Sequence, residues 1–196
     1  MLEIYTVAFF GHRYIDNILK VEEQLEDHIR KLLQEHECVD FLVGRYGDFD
    51  QCVSSSVLRV RKNYRDDNSS LILILPYPTS EYINNEQYFE EYYNEIEISS
   101  AAAKAHPKSA FQIRNREMVD RADLVICYIE NKEGGAWQTI KYAMEKEKNI
   151  INLAEYMNIW EKPVTRESYR LSYIEGMRRI NNFLREPRNS SEDGCR

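Results

Sequence analysis

Three times in this chain an apolar run of strand length passes through glycine into a stretch of helical periodicity. The clearest case is Leu124-Val-Ile-Cys-Tyr-Ile129, followed by the pair Gly134-Gly135 and a helical stretch from Ala136 to Glu147. A strand that runs through glycines into a helix leaves backbone N–H groups pointing at open space. There the positive end of the helix dipole favours an anion such as phosphate. Likewise Ile4–Phe10 ends in Gly11-His12-Arg13, and Val39–Val43 ends in Gly44-Arg45-Tyr46-Gly47-Asp48-Phe49-Asp50. If the strands are parallel, the three turns open on one crevice, because such sheets bind ligands beyond the carboxyl ends of their strands.

The length of 196 residues suits one domain, expected over 1–184, with a polar tail over 185–196. A formal net charge of -7 argues against duplex nucleic acid as the main partner, since such binders present a basic face. A local basic pocket is compatible with that charge. Hydrophobic residues make up 43%, with 14 Tyr and 7 Phe, which supports a packed core, and no apolar run approaches a membrane span. The N-terminus lacks a basic segment followed by an apolar one, so no secretory signal and a cytoplasmic location are expected. Cys38, Cys52, Cys127 and Cys195 are scattered, with no Cys-x-x-Cys pair, and make no zinc site. Cys127 reads as a small buried hydrophobe within a strand and the others as reduced thiols.

Ile4–Phe10 is a continuous apolar run, as a strand buried on both faces should be. From Asp16, a plausible N-cap, Ile18, Leu19, Leu25, Ile29, Leu32 and Leu33 recur at helical spacing to about Glu37. Val39–Val43 is the second strand, Gln51–Tyr64 the second helix, and Leu71–Leu75 a third strand stopped by Pro76 and Pro78. Tyr77–Ser100 is looser, with a short helix and a short extended piece at Glu95–Ile98, and carries Tyr82, Tyr88, Phe89, Tyr92 and Tyr93. This aromatic stretch is either a lid or partner surface, or a helix packed on the sheet edge. A helix over Ala110–Arg121, a strand over Asp123–Ile129, a helix over Ala136–Lys146, a strand over Asn149–Leu153 and a C-terminal helix over Ser168–Leu184 follow. The alternation predicts an α/β, three-layer sandwich around a mostly parallel sheet with right-handed crossovers.

Arg13 can clamp a phosphate or carboxylate in bidentate fashion and His12 can donate to the same anion; alternatively both tie down neighbouring loops. Asp48 or Asp50 can cap the helix after Gly47, and either can accept from ribose hydroxyls. In Arg114-Asn-Arg-Glu-Met-Val-Asp120, positions 114, 117, 118 and 121 share a helix face. From the residues alone, that face reads as a surface salt-bridge ladder.

Taken in order, Phe-Phe-Gly-His-Arg, Val-Gly-Arg-Tyr-Gly-Asp-Phe-Asp, Arg-Asn-Arg-Glu-Met-Val-Asp-Arg-Ala-Asp and Gly-Gly-Ala-x-x-Thr resemble the YpsA-like branch of the SLOG superfamily. That superfamily also holds the DprA-like and LOG ("lysine decarboxylase-like") proteins. The resemblance runs from about Thr6 to Leu153 and rests on several ordered motifs. It implies a Rossmann-like fold and a pocket for a nucleotide or a nucleotide-derived, ADP-ribose-like ligand, bound through a phosphate-binding loop. The positions it implies are Gly11, His12, Arg13, Gly44, Gly47, Asp50, Arg114, Asn115, Gly134, Gly135 and Thr139. It thereby turns Arg114 from a surface residue into a ligand-facing one. A sensing or sequestering role, a homodimer, and a bacterial or phage source are natural extensions of the same resemblance.

One departure bears on mechanism. LOG phosphoribohydrolases use Pro-Gly-Gly-x-Gly-Thr-x-x-Glu, and the same frame here puts Glu133 at the proline, Trp137 at the third glycine, Gln138 at the threonine and Lys141 at the catalytic glutamate. A lysine cannot stabilise a developing oxocarbenium ion or act as that base, so hydrolysis of this type is disfavoured. Trp137 either stacks on a base or fills core. An N-glycosidase or deoxyribosyltransferase is the enzymatic alternative, with Asp48, Asp50, Glu130 and Glu133 the carboxylates at strand ends. No cofactor is required by the pattern. Asp48 and Asp50 can hold Mg2+ through a phosphate, but two nearby carboxylates do not by themselves define a metal site. An interaction protein that uses the Tyr-rich segment is the third reading.

Overall fold

The computed structural model describes residues 3–154, built as β1 (Ile4–Gly11), α1 (Ile18–Glu35), β2 (Cys38–Val43), α2 (Asp48–Asn63), β3 (Ser69–Leu75), α3 (Ser80–Asn84), α4 (Glu86–Tyr92), β4 (Glu95–Ile98), α5 (Ser100–Ala103), α6 (Pro107–Arg121), β5 (Leu124–Tyr128), α7 (Gly134–Glu145) and β6 (Asn149–Asn152). The expected C-terminal helix, the tail, Cys195 and the boundary at 184 lie outside the described residues. The six strands form one sheet in the order β4-β3-β2-β1-β5-β6, and every pairing is parallel. This is the expected Rossmann-like α/β architecture.

Side-chain alternation along the central strands sorts the core into two layers. Register pairs Val7 with Phe41 and Leu124, and Ala8 with Leu42 and Val125, so residues of like position share a face across the sheet. Ala8, Phe10, Leu42, Ile72, Ile74, Val125 and Cys127 meet Met118, Val119 and Ala122 around α6 and Ile140 and Ala143 of α7. On the other face α1 and α2 pack together, tied by Arg59, whose guanidinium pairs with Glu22 at 3.0 Å and Glu26 at 2.6 Å. Cys127 is fully buried in β5, as expected, and burial pushes the Cys52 thiol up to about 12.

Helix starts differ from the sequence reading. The first helix begins after Asn17, one residue beyond the expected cap, and the second begins at Asp48 because Gly47, at φ 126°, turns the chain early. The sixth opens at Pro107, whose missing N–H costs nothing in a first turn. The aromatic stretch resolves into two helices, with Thr79 capping the first through the Tyr82 N–H at 3.2 Å. Phe89 and Tyr93 are buried there, and the Arg45 guanidinium lies 4.4 Å from the Phe89 ring centre while donating to Glu81 and to the Tyr93 hydroxyl. Much of this segment's aromatic surface is therefore packed against the fold.

Candidate functional site

The chain winds outward from β1 through β2 and β3 to β4, then returns to place β5 and β6 on the other side of β1. Adjacent crossovers on opposite faces leave a gap between the carboxyl ends of β1 and β5, which is the switch point where such sheets bind ligands. A cavity of about 420 Å³ opens there, within the range of small-ligand pockets. Its walls come from Gly11, His12 and Arg13 after β1, Tyr46 and Asp50 at the start of α2, Phe111, Arg114 and Asn115 of α6, and Glu133, Gly134 and Gly135 at α7. All three glycine-bearing turns thus reach one crevice.

Arg114 forms its floor. The residue is only 4% exposed; among the described residues its Nε has no hydrogen-bond partner, and Nη1 donates to the weak acceptor Met118 Sδ at 3.4 Å. Burial lowers the guanidinium from its ordinary value, with Asp50 opposing that shift, and burial raises the Asp50 carboxyl, with Arg114 and the Tyr46 N–H opposing. A buried cation short of partners is costly unless an anion joins it. Gly44 makes room for both groups: a Cβ there would lie 2.5 Å from Asp50 Oδ2 and 2.8 Å from Arg114 Nη1.

Above the floor stands the N-terminus of α7. Gly134 has φ 78°, and a side chain there would meet open space, so the backbone is exposed to whatever occupies the cavity. Two links hold this turn to α6. Gln112 Nε2 donates to the Gly135 carbonyl at 3.1 Å, and Asn115 Nδ2 donates to Thr139 Oγ1 at 2.9 Å. The Thr139 hydroxyl in turn donates to the Gly135 carbonyl at 3.0 Å. Thr139 is fully buried and lies outside the cavity wall; it positions the turn.

The remaining positions divide. Arg13 is exposed at the rim and makes no ion pair among the described residues. Its carbonyl accepts from the Asp48 N–H at 2.8 Å, and a Cβ on Gly47 would press on its backbone, so Gly47 fits the two turns together. Gly11 lines the cavity, but the space beside it is filled by Phe49, whose Cγ would sit 2.3 Å from an added Cβ. His12 Nε2 accepts from the backbone N–H groups of Glu130 and Asn131 at 3.1 and 3.2 Å. Asp48 faces away: its carboxylate accepts from the Ile15 N–H at 3.3 Å and lines a separate cavity. The two aspartates therefore do not share a ligand position. Lys141 is exposed and off the cavity wall, and Trp137 is half-buried against the core beside α7. Among the described residues no group of three or more His, Cys, Asp or Glu gathers as a metal site, and no helix is long and apolar enough to cross a membrane.

Tyr46, Phe111 and Gln112 line the cavity and were not singled out from the sequence. Tyr46 meets Phe111 edge-on with ring centres 4.8 Å apart, and Tyr77 meets Phe111 at 6.0 Å, which gives one side of the cavity an aromatic wall. The available signal was Phe111 one helical turn before Arg114 on the same face.

No protein-family model matches this chain, and no curated protein matches it. Solved structures do. DNA processing protein A (DprA) from Streptococcus pneumoniae matches with a TM-score of 0.55 and 18% identity, over 75% of this chain and 49% of that one. DprA from Helicobacter pylori, a structure concerned with its single-stranded DNA binding mode, matches with a TM-score of 0.51 and 20% identity, over 74% of this chain and 63% of that one. The chain thus spans less than two thirds of either DprA chain. The second neighbour corrects the expectation that duplex nucleic acid is an unlikely partner: a protein of this fold has a single-stranded DNA binding mode, so net charge does not set nucleic acid aside. Net charge is a sum over the whole chain, whereas a single strand is held by a local basic groove and by aromatic faces. At these identities the likeness is one of fold, and by fold this chain is a parallel Rossmann-like α/β domain similar to that of DprA.

Proposed function

We propose that the cavity between β1 and β5 binds a nucleotide or nucleotide-derived ligand, with a phosphate on the α7 N-terminus and Arg114 and the base along Tyr46 and Phe111. The observation that carries this reading is Arg114 itself, a buried guanidinium with an unpartnered Nε in the wall of an open cavity. Helix N-terminal N–H groups and a guanidinium both suit a phosphate, and charge-assisted hydrogen bonds of this kind are worth roughly 1.5–3 kcal/mol each. Arg13 at the rim supplies a second cation for a diphosphate. The resemblance of the ordered motifs to the YpsA-like branch of the SLOG superfamily supports a sensing or sequestering role. The exposed Lys141 supports binding without the glycosidic hydrolysis of the LOG type.

Single-stranded DNA is the second reading, favoured by the Helicobacter pylori neighbour. It would use the same aromatic wall and cations on a nucleotide within a strand.

Thermal unfolding against nucleoside mono-, di- and triphosphates, ADP-ribose, NAD, cyclic nucleotides and a short single-stranded oligonucleotide tests both. A native-state ligand at a hundredfold excess over its dissociation constant adds about 2.7 kcal/mol, or ~5–10 °C for a chain of this size. R114M is expected to weaken binding by about tenfold to a hundredfold, the value of one such hydrogen bond. A panel without a shift, or a shift that R114M leaves intact, removes the proposal. Free base in the incubated mixtures would instead establish the enzymatic alternative, with Asp50 and Glu133 the carboxylates in the cavity.

A further inference from the structure

His12 lines the cavity, yet its Nε2 is already engaged: the N–H groups of Glu130 and Asn131 both point at it, at 3.1 and 3.2 Å. Two donors converging on one ring nitrogen share its lone pair, so Nε2 serves the loop as an acceptor. These N–H groups belong to the loop that runs from β5 into Gly134, the start of the anion-facing turn of α7. The imidazole backbone is anchored on the same side, because the His12 N–H donates to the Tyr128 carbonyl at 3.2 Å. One residue therefore pins both ends of the segment 128–131 to the end of β1.

We propose that His12 is a positioning residue that latches the β5–α7 loop through Nε2, and that losing this acceptor releases the loop and weakens anion binding in the cavity. This rests on the nucleotide reading above. Without the acceptor, two backbone N–H groups lose their partner and the loop before Gly134 loses its tie to the end of β1. A variant that keeps an acceptor oxygen in place of Nε2 separates the latch from the packing of the ring.

The test measures ADP-ribose binding to the full chain for wild type, H12A and H12Q, in which glutamine offers a carbonyl oxygen where Nε2 stood. H12A is expected to bind at least tenfold more weakly than wild type, and H12Q to restore binding. An H12A that binds like wild type overturns the latch, as does an H12Q that binds as poorly as H12A. If wild type does not bind ADP-ribose, the nucleotide panel above decides that reading, and the latch is decided on the free protein by amide hydrogen exchange: the Glu130 and Asn131 amides should exchange at least tenfold faster in H12A than in wild type and H12Q, and equal exchange in all three overturns it.

Discussion

Arg114 and Asp50 carry the electrostatic character of the site, and burial shifts the pKa of each against its charged form. A carboxyl raised above its usual value of 3.8 binds a proton more tightly in the folded than in the unfolded state. Its ionisation therefore costs stability as pH rises from the ordinary carboxylate value through the higher folded one. Asp40, also raised by burial, adds a slope of the same sign, so the informative quantity is the difference between proteins. Across pH 4 to 7, D50N should lose less stability than wild type, because an asparagine oxygen still accepts from the Tyr46 N–H without carrying charge. Denaturant midpoints along a pH series measure this; parallel curves for the two proteins would mean that Asp50 ionises without cost. At this scale the sequence left genuine ambiguity. Asp48 and Asp50 look alike two residues apart, and only their partners, the N–H groups of Ile15 and Tyr46, separate a loop tie from a cavity group.

Helices α6 and α7 form the unit that shapes the anion cradle. Their link is a short chain of side-chain hydrogen bonds from Asn115 through Thr139 to the Gly135 carbonyl, with Gln112 reaching the same carbonyl. Because the Thr139 hydroxyl is committed to Gly135, its oxygen accepts from Asn115, which fixes how that amide is turned. Replacing Thr139 by valine leaves the Asn115 amide without this acceptor and should cost about 1–3 kcal/mol. In a double-mutant cycle with N115A the two changes should couple by ~0.5–3 kcal/mol, since the residues share one bond. Urea unfolding of the four proteins supplies the numbers, and additive effects would show that the Asn115–Thr139 bond contributes no coupling of its own. Gln112, Asn115 and Arg114 lie within one turn of α6, so the helix that supplies the buried cation also fastens the turn above it.

For the whole molecule, the formal charge of -7 and the cationic cavity belong to different length scales. Salt separates them, because binding through Z phosphates of a single strand falls with a slope near -0.7Z in log–log form. A cavity presenting two arginines, Arg13 and Arg114, should give an oligonucleotide slope of about -1.4, far shallower than that of an extended basic groove. Fluorescence anisotropy across 50–300 mM salt reads it; a slope several times steeper would place the contacts elsewhere on the surface. Strand and helix content and the parallel α/β class were legible in the sequence, because burial on both faces writes an unbroken apolar run and a half-buried helix writes its own period. The same local record marked the glycine turns and, through family resemblance, Arg114. It did not reveal that the space at Gly11 is taken by Phe49, that Thr139 points into the α6–α7 contact, or that Phe111 and Tyr46 form a wall. Nor did it show that His12 serves two backbone groups lying 118 and 119 residues away. Periodicity is a property of neighbours along the chain and follows from sequence alone. The partner of a side chain is set by which strand ends the sheet order brings together, and that is decided only when β5 returns to pair with β1.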